Sequence, residues 1–133
     1  NMTKAGKFLG YNFYIEGQVK EGERRGRQIG FPTANLDTDW DILPKVGVYA
    51  TLAHVDGRVL NSITNVGYRP TFGNKELVIE THIFNFNEDI YKKRIEVEFV
   101  DRVRDEQKFN GPQALVEQIK KDVDRVNVIL STN

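Results

Sequence analysis

An all-β body closed by one C-terminal helix is the fold class that this sequence predicts, and three observations point to it. Runs rich in β-branched and aromatic residues recur from residue 11 to about residue 102, separated by turn chemistry. An Asp56-Gly57 pair sits between two such runs, and a type I′ hairpin turn wants residues of this kind because both central positions take positive φ. Past Gly111-Pro112 the hydrophobic period changes from that of a strand to that of a helix.

The elements follow in order. Residues 11–19 alternate loosely, 31–36 form a short extended run after Pro32, 48–55 carry a compact apolar stretch, and 59–66 follow the Asp-Gly turn. Residues 77–86 and 95–103 complete a set of about six strands, the last two joined by a polar turn at Asn87-Glu88-Asp89. With no strong helix between them, a small closed barrel is favoured over an open sheet with exposed edges. Residues 65–73, with two glycines, a proline and two aromatics, read as a loop suited to a mobile wall over a flat ligand. In the last segment Leu115, Ile119, Val123, Val126 and Leu130 lie on one helical stripe. Glu117, Lys120, Lys121, Asp124 and Arg125 take the other side, Asn110 is expected to cap the start, and Pro112 suits the first turn. The expected organisation is a single domain over 1–133, with 1–13 as a lead-in arm or interdomain junction, the barrel over 14–104 and the helix over 111–131.

Composition narrows the chemistry. A chain of 133 residues buries roughly two-thirds of the surface that its unfolded form exposes, enough for one ordinary core. There is no cysteine, so disulfides, zinc ribbons and thiol nucleophiles are excluded together. His54 and His82 are the only histidines and lack metalloprotease spacing. Any metal is therefore expected to be a hard one held by oxygen. The 19 basic residues balance 19 acidic ones, which argues against a domain that coats nucleic acid or an acidic membrane. No apolar run reaches the length of a membrane span and no signal-peptide pattern opens the chain; a cytoplasmic protein is the expectation.

Several familiar devices are absent. No P-loop pattern occurs, and Gly22, Gly26 and Gly30 are spaced by four rather than as G-x-G-x-x-G. Ser62 and Ser131 are the only serines and neither lies in a nucleophile elbow. Asp37, Asp39 and Asp41 open like a calcium loop, but Ile42 stands where the turn glycine belongs and Val48 where the bidentate glutamate belongs.

Two stretches carry positive information. In residues 22–36 three glycines leave backbone N–H groups free to face an anion, while Arg24, Arg25 and Arg27 add positive charge. Pro32 then biases the chain towards extension, which puts Thr33 and Asn35 on one face, two neutral oxygens side by side. Mg²⁺ commonly takes one or two protein oxygens plus substrate phosphates, so this pair is a candidate metal site. A hairpin loop leading into an edge strand accounts for the same residues. In residues 77–86 alternation places Val78, Glu80, His82, Phe84 and Phe86 on one face, and a carboxylate among aromatics is a candidate general base. A glutamate paired with an arginine at a barrel end is the competing account.

Taken together, the strings G-R-x-I-G-F-P-T-A-N-L from Gly26, L-P at Leu43-Pro44, G-V-Y-A from Gly47, N-V-G-x-R-P-T-F-G from Asn65 and E-T-H-I-F from Glu80 resemble the riboflavin kinase family, over nearly the whole chain. The module stands alone in eukaryotes and forms the C-terminal half of the bifunctional bacterial FAD synthetase. The resemblance implies a six-stranded antiparallel Greek-key barrel that transfers the γ-phosphate of ATP to the ribityl 5′-hydroxyl of riboflavin, giving FMN and ADP. It implies Thr33 and Asn35 as Mg²⁺ ligands and Glu80 as catalytic base. It puts Gly22, Arg27, Gly30 and Thr33, with Ile83, Asn85 and Tyr91, along the nucleotide, and Arg104, Gln107 and Phe109 along the flavin. Many relatives carry L-R-P-E where this chain reads Val103-Arg104-Asp105-Glu106. It further implies an N-terminal FMN adenylyltransferase domain in the full-length protein; that fold does not fit in 133 residues, so FAD formation is not expected of this chain. The alternative is a small barrel that grips single-stranded RNA, but residues 20–27, with four basic and two acidic residues, net +2, are a weak footprint for it.

Overall fold

The computed structural model describes residues 13–20, 33–38 and 44–131, with the side chains of Arg69 and Pro70 left aside. Six strands and a helix account for most of them: β1 (Phe13–Lys20), β2 (Ala34–Asp37), β3 (Gly47–Val55), β4 (Arg58–Thr71), β5 (Asn74–Ile83), β6 (Arg94–Arg104) and α1 (Pro112–Ser131). The strands close into an antiparallel barrel in the order β1-β2-β5-β4-β3-β6. β3, β4 and β5 form consecutive hairpins and β6 returns beside β3, which is a Greek key.

Local chemistry explains most boundaries. Asp56 and Gly57 both take positive φ, 50° and 79°, so the β3–β4 hairpin turns as its Asp-Gly pair predicts. The expected loop over 65–73 is largely strand instead. β4 runs on to Thr71 and pairs with β5 through Thr71↔Asn74, leaving only Phe72-Gly73 as the turn. Pro70 is tolerated because β4 pairs with β3 only up to Val66, so past that point its outer edge needs no backbone donor. The helix starts at Pro112 with Leu115 N–H bonded to the Gly111 carbonyl at 3.3 Å. Gly111 rather than Asn110 is thus the capping position, with proline in the first helical place where a missing N–H costs nothing.

The barrel interior is filled by Ile15, Val19, Leu36, Tyr49, Ala53, Val55, Val66, Ile79, Ile83, Ile95, Val97 and Phe99, all buried. The Tyr49 and Phe99 rings meet edge to face at 5.0 Å. Four hydroxyls also lie inside: Thr51 bonds Ser62 at 2.7 Å and Thr64 at 2.9 Å, and Thr64 bonds Thr81 at 2.9 Å. All four are fully buried. Buried hydroxyls demand partners, and here they supply one another across β3, β4 and β5.

On the outside, α1 packs against β3, β4 and β6. Val126 faces inwards as its stripe position predicts. The link between β5 and β6 crosses one barrel end, where Ile90 is buried in the core cluster. That link is pinned to β1 by Val19 N–H to Lys93 O and Lys92 N–H to Val19 O, both 2.8 Å.

Candidate active site

Register builds the site. Leu36, Ile79 and Val66 point into the core, so their neighbours Asn35, Glu80 and Asn65 point outwards. Those three residues are cross-strand partners, Asn35↔Glu80 on β2 and β5 and Glu80↔Asn65 on β5 and β4. The row continues through Asn65↔Val48 to Val48↔Arg104, and from Asn35 back to Lys20. One outward belt of registered side chains therefore runs across all six strands.

The centre of that belt is short of hydrogen bonds. Asn35 is 2% exposed, yet neither its Oδ1 nor its Nδ2 has a partner, and the Asn65 Oδ1 is buried without one as well. Burying such groups costs about 1–3 kcal/mol each unless something satisfies them. Just ahead of β2, the Thr33 hydroxyl donates to Glu80 Oε2 at 3.2 Å. Thr33, Asn35 and Glu80, singled out separately in the sequence, are thus brought to one place. The oxygen lone pairs of Thr33 and Asn35 beside a carboxylate are a hard donor set of the kind Mg²⁺ takes. Among the described residues no cluster of three or more His, Cys, Asp or Glu offers another metal site.

The aromatic surroundings expected for Glu80 are only partly present. The His82 and Phe84 rings meet at 5.8 Å, but β5 ends at Ile83 and Asn85 takes a φ of 54°. This reversal turns Phe86 onto the core cluster, with the Arg58 guanidinium 5.7 Å over its ring. The registered neighbours of Glu80 are two asparagine amides.

The other expected residues fall in three groups. Gly22, Arg27 and Gly30 lie outside the described residues. Ile83, Asn85 and Tyr91 gather at the barrel end that holds the 84–93 link, but Ile83 is 4% exposed with its side chain in the core. Phe84 N–H bonds the Asn61 carbonyl on β4 at 2.9 Å, so the N–H and C=O of Ile83 point the opposite way. On that side β2 pairs with β5 only as far as Thr81 among the described residues. Ile83 can therefore offer a ligand its backbone and not its side chain. Asn85 and the half-exposed Tyr91 face solvent.

Arg104, Gln107 and Phe109 lie at the other end of the belt. Two bulges where β6 meets β3, opposite Val48/Tyr49 and Ala50/Thr51, break strict alternation. Arg102 consequently sits over the Tyr49 ring at 6.0 Å while Arg104 turns outwards to the helix. Arg104 gives Nε and Nη2 to the Asp122 carboxylate at 2.8–3.1 Å, gives Nη1 to the Asp105 carbonyl at 2.9 Å, and lies 5.7 Å over the Phe109 ring. Each of its three guanidinium nitrogens thus already bonds within the protein, beside the Phe109 ring. Asp122, 3% exposed and also bonded by Gln118 at 2.9 Å, was not picked out from the sequence. Its signal was a charge three residues after Ile119 and four before Val126, squarely on the apolar stripe. Gln107 is exposed. Between Arg104 and Gln107 the Glu106 side chain reaches over β4: a Cβ added to Gly67 would fall on its carboxylate. That contact brings the Glu106 carboxylate onto the outer face of β4, two residues along the strand from Asn65.

Comparison with known proteins adds the identity of the family. The family model described as Flavokinase: Riboflavin kinase matches residues 9–130. A bifunctional riboflavin kinase/FMN adenylyltransferase of Bacillus subtilis is 46% identical over 122 residues, covering 89% of this chain and 39% of its own. The chain thus spans about two-fifths of the length of that curated relative. A solved structure from Streptococcus pneumoniae, described as a macrolide-efflux protein, superposes with a TM-score of 0.89 at 38% identity, over 96% of this chain and 42% of its own. A riboflavin kinase from Trypanosoma brucei superposes with a TM-score of 0.63 at 25% identity, over 89% of this chain and 79% of its own. Among the described residues no helix is long and apolar enough to cross a membrane. The barrel with its C-terminal helix and the family model matched over residues 9–130 agree, and this chain belongs to the riboflavin kinase family.

Proposed function

We propose that this chain catalyses transfer of the γ-phosphoryl group of ATP to the 5′-hydroxyl of riboflavin, giving FMN and ADP. The single observation that carries the reading is the meeting of Thr33, Asn35 and Glu80 on one outer face, with the Asn35 amide buried and unsatisfied. Phosphoryl transfer asks for neutralised charge, alignment and an acceptor for the hydroxyl proton. Glu80 takes the proton from the 5′-hydroxyl as its oxygen bonds the γ-phosphorus and the bond to the β-phosphate oxygen breaks. Thr33 and Asn35 would hold Mg²⁺, which when bound supplies positive charge at the phosphates. The Thr33 hydroxyl keeps its lone pairs for a cation while its hydrogen orients Glu80. The backbone of Ile83, with Asn85 and Tyr91, would meet the nucleotide, and the family resemblance adds Gly22, Arg27 and Gly30 as nucleotide contacts. Phe109, braced by Arg104, and Gln107 would meet the flavin ring. The bifunctional relative supports a further expectation, that an FMN adenylyltransferase domain accompanies this one in the complete protein.

The RNA-binding alternative has less behind it. Lys20, Arg58, Lys93, Arg94, Arg102 and Arg104 are each paired with a carboxylate, and the chain as a whole carries no net charge. Purified protein is expected to convert riboflavin to FMN only when ATP and Mg²⁺ are both present, followed by chromatography of the flavins. No turnover, together with no binding of flavin or ADP, would overturn the kinase reading.

A further inference from the structure

Asn65 lies midway along the outward belt, and nothing derived so far uses it. On one side its registered partner is Glu80 and on the other Val48, whose own partner is Arg104. Two residues further along β4, on the same face, the Glu106 carboxylate lies against Gly67. Between Glu80 on β5 and Arg104 on β6 the belt crosses β4 and β3, with neighbouring strands about 4.8 Å apart, and the Glu106 carboxylate reaches back over β4 at Gly67. A flavin whose ring lies along residues 104–109 and whose terminal hydroxyl reaches Glu80 has to carry its polyol chain across β4, and Asn65 is the polar side chain there. Its Oδ1 is buried and has no hydrogen-bond partner, an acceptor that calls for a donor.

We propose that Asn65 is a specificity-determining residue, its Oδ1 accepting a hydrogen bond from a secondary hydroxyl of the ribityl chain and so fixing where the 5′-hydroxyl arrives at Glu80. The proposal rests on the riboflavin kinase reading and deepens it. A flavin with no polyol gains nothing from this contact, so the site prefers polyol-bearing flavins through β4 rather than through the ring.

The test compares riboflavin with lumiflavin, which carries a methyl group in place of the ribityl chain, both followed by quenching of flavin fluorescence, with Mg²⁺-ADP binding measured alongside. Asn65→Leu, close in size but without polar atoms, is expected to weaken riboflavin about tenfold, the worth of one well-made hydrogen bond. Lumiflavin and Mg²⁺-ADP affinities are expected to stay at the wild-type level. Asn65→Ala, which only removes atoms, is read in the same way if the leucine variant does not fold. Unchanged riboflavin affinity, or an equal loss for both flavins, overturns the proposal. Wild-type protein that binds neither flavin defeats the kinase reading itself, a different result from either of these.

Discussion

Two polar rows share β4 and β5 and differ in which side of the sheet they occupy. Inside the barrel, Thr51, Ser62, Thr64 and Thr81 are sealed from solvent and hydrogen-bonded to one another. Outside, Glu80 and Asn65 directly adjoin Thr81 and Thr64 in sequence and Asn35 pairs with Glu80 from β2, yet Asn35 and Asn65 keep buried atoms with no partner. The first row is complete without a ligand, and its contribution is to stability. The second is left incomplete, and a fold retains such a cost where function uses it. Polarity and burial alone do not separate a structural network from a site, whereas satisfaction does.

That contrast can be broken by mutation, beginning with the outer row. Glu80→Gln keeps the shape and removes the proton acceptor, so kcat is expected to fall by about 10²–10⁴-fold while the melting temperature stays within a degree or two, measured by steady-state kinetics and calorimetry. A stability loss with no kinetic effect would move Glu80 into the structural class. On the inner row, Thr64→Val strips Thr81 of its hydroxyl partner and Thr51 of one of two. It is expected to destabilise by about 1–3 kcal/mol in urea unfolding, with kcat/KM unchanged. Asn35→Leu should do the reverse, raising unliganded stability by about 1 kcal/mol because an unsatisfied amide leaves the interior, while the Mg²⁺ concentration needed for half-maximal rate rises. A metal titration that superimposes on wild type would remove Asn35 from the ligand set.

The smallest effect concerns a surface contact between Arg102 on β6 and Asp105 at the start of the flavin-side segment. The Arg102 guanidinium beside Asp105 holds its carboxyl below the usual carboxylate range. Any stability from this contact is therefore present above the unfolded pKa of about 3.9 and is lost as pH falls through the lower folded value. Asp105 is strongly exposed, so the wild type and Asp105→Asn are expected to differ only slightly in urea midpoint at pH 7 and to converge at pH 2. A gap that persists there would show that packing, not charge, does the holding.

The strands were legible from the sequence because alternation and turn chemistry agreed, most clearly at Asp56-Gly57. Residues 67–71 were not, since two glycines and a proline look like a loop unless the edge position of that part of β4 is known. The helix stripe was legible in its apolar members, but Asp122 needed its partner on β6 to make sense, and a bulge hid which way Arg104 faces. For the candidate site, Thr33, Asn35 and Glu80 stood out by chemistry and by family likeness; Asn65 did not, because an asparagine in an apparent loop has no face. Register between distant strands gave it one.

The pinning of the 84–93 link onto Val19 and the pairing of β1 with β6, as in Phe13↔Phe99, set the order in which the chain can be completed. A ribosome delivers the first strand long before its partner exists, and such distant pairing is slow to form. Until β6 emerges, an unsealed sheet with a bare margin is what nascent chains present to one another and to chaperones. Slower synthesis through the final third is therefore expected to lower the soluble yield on expression.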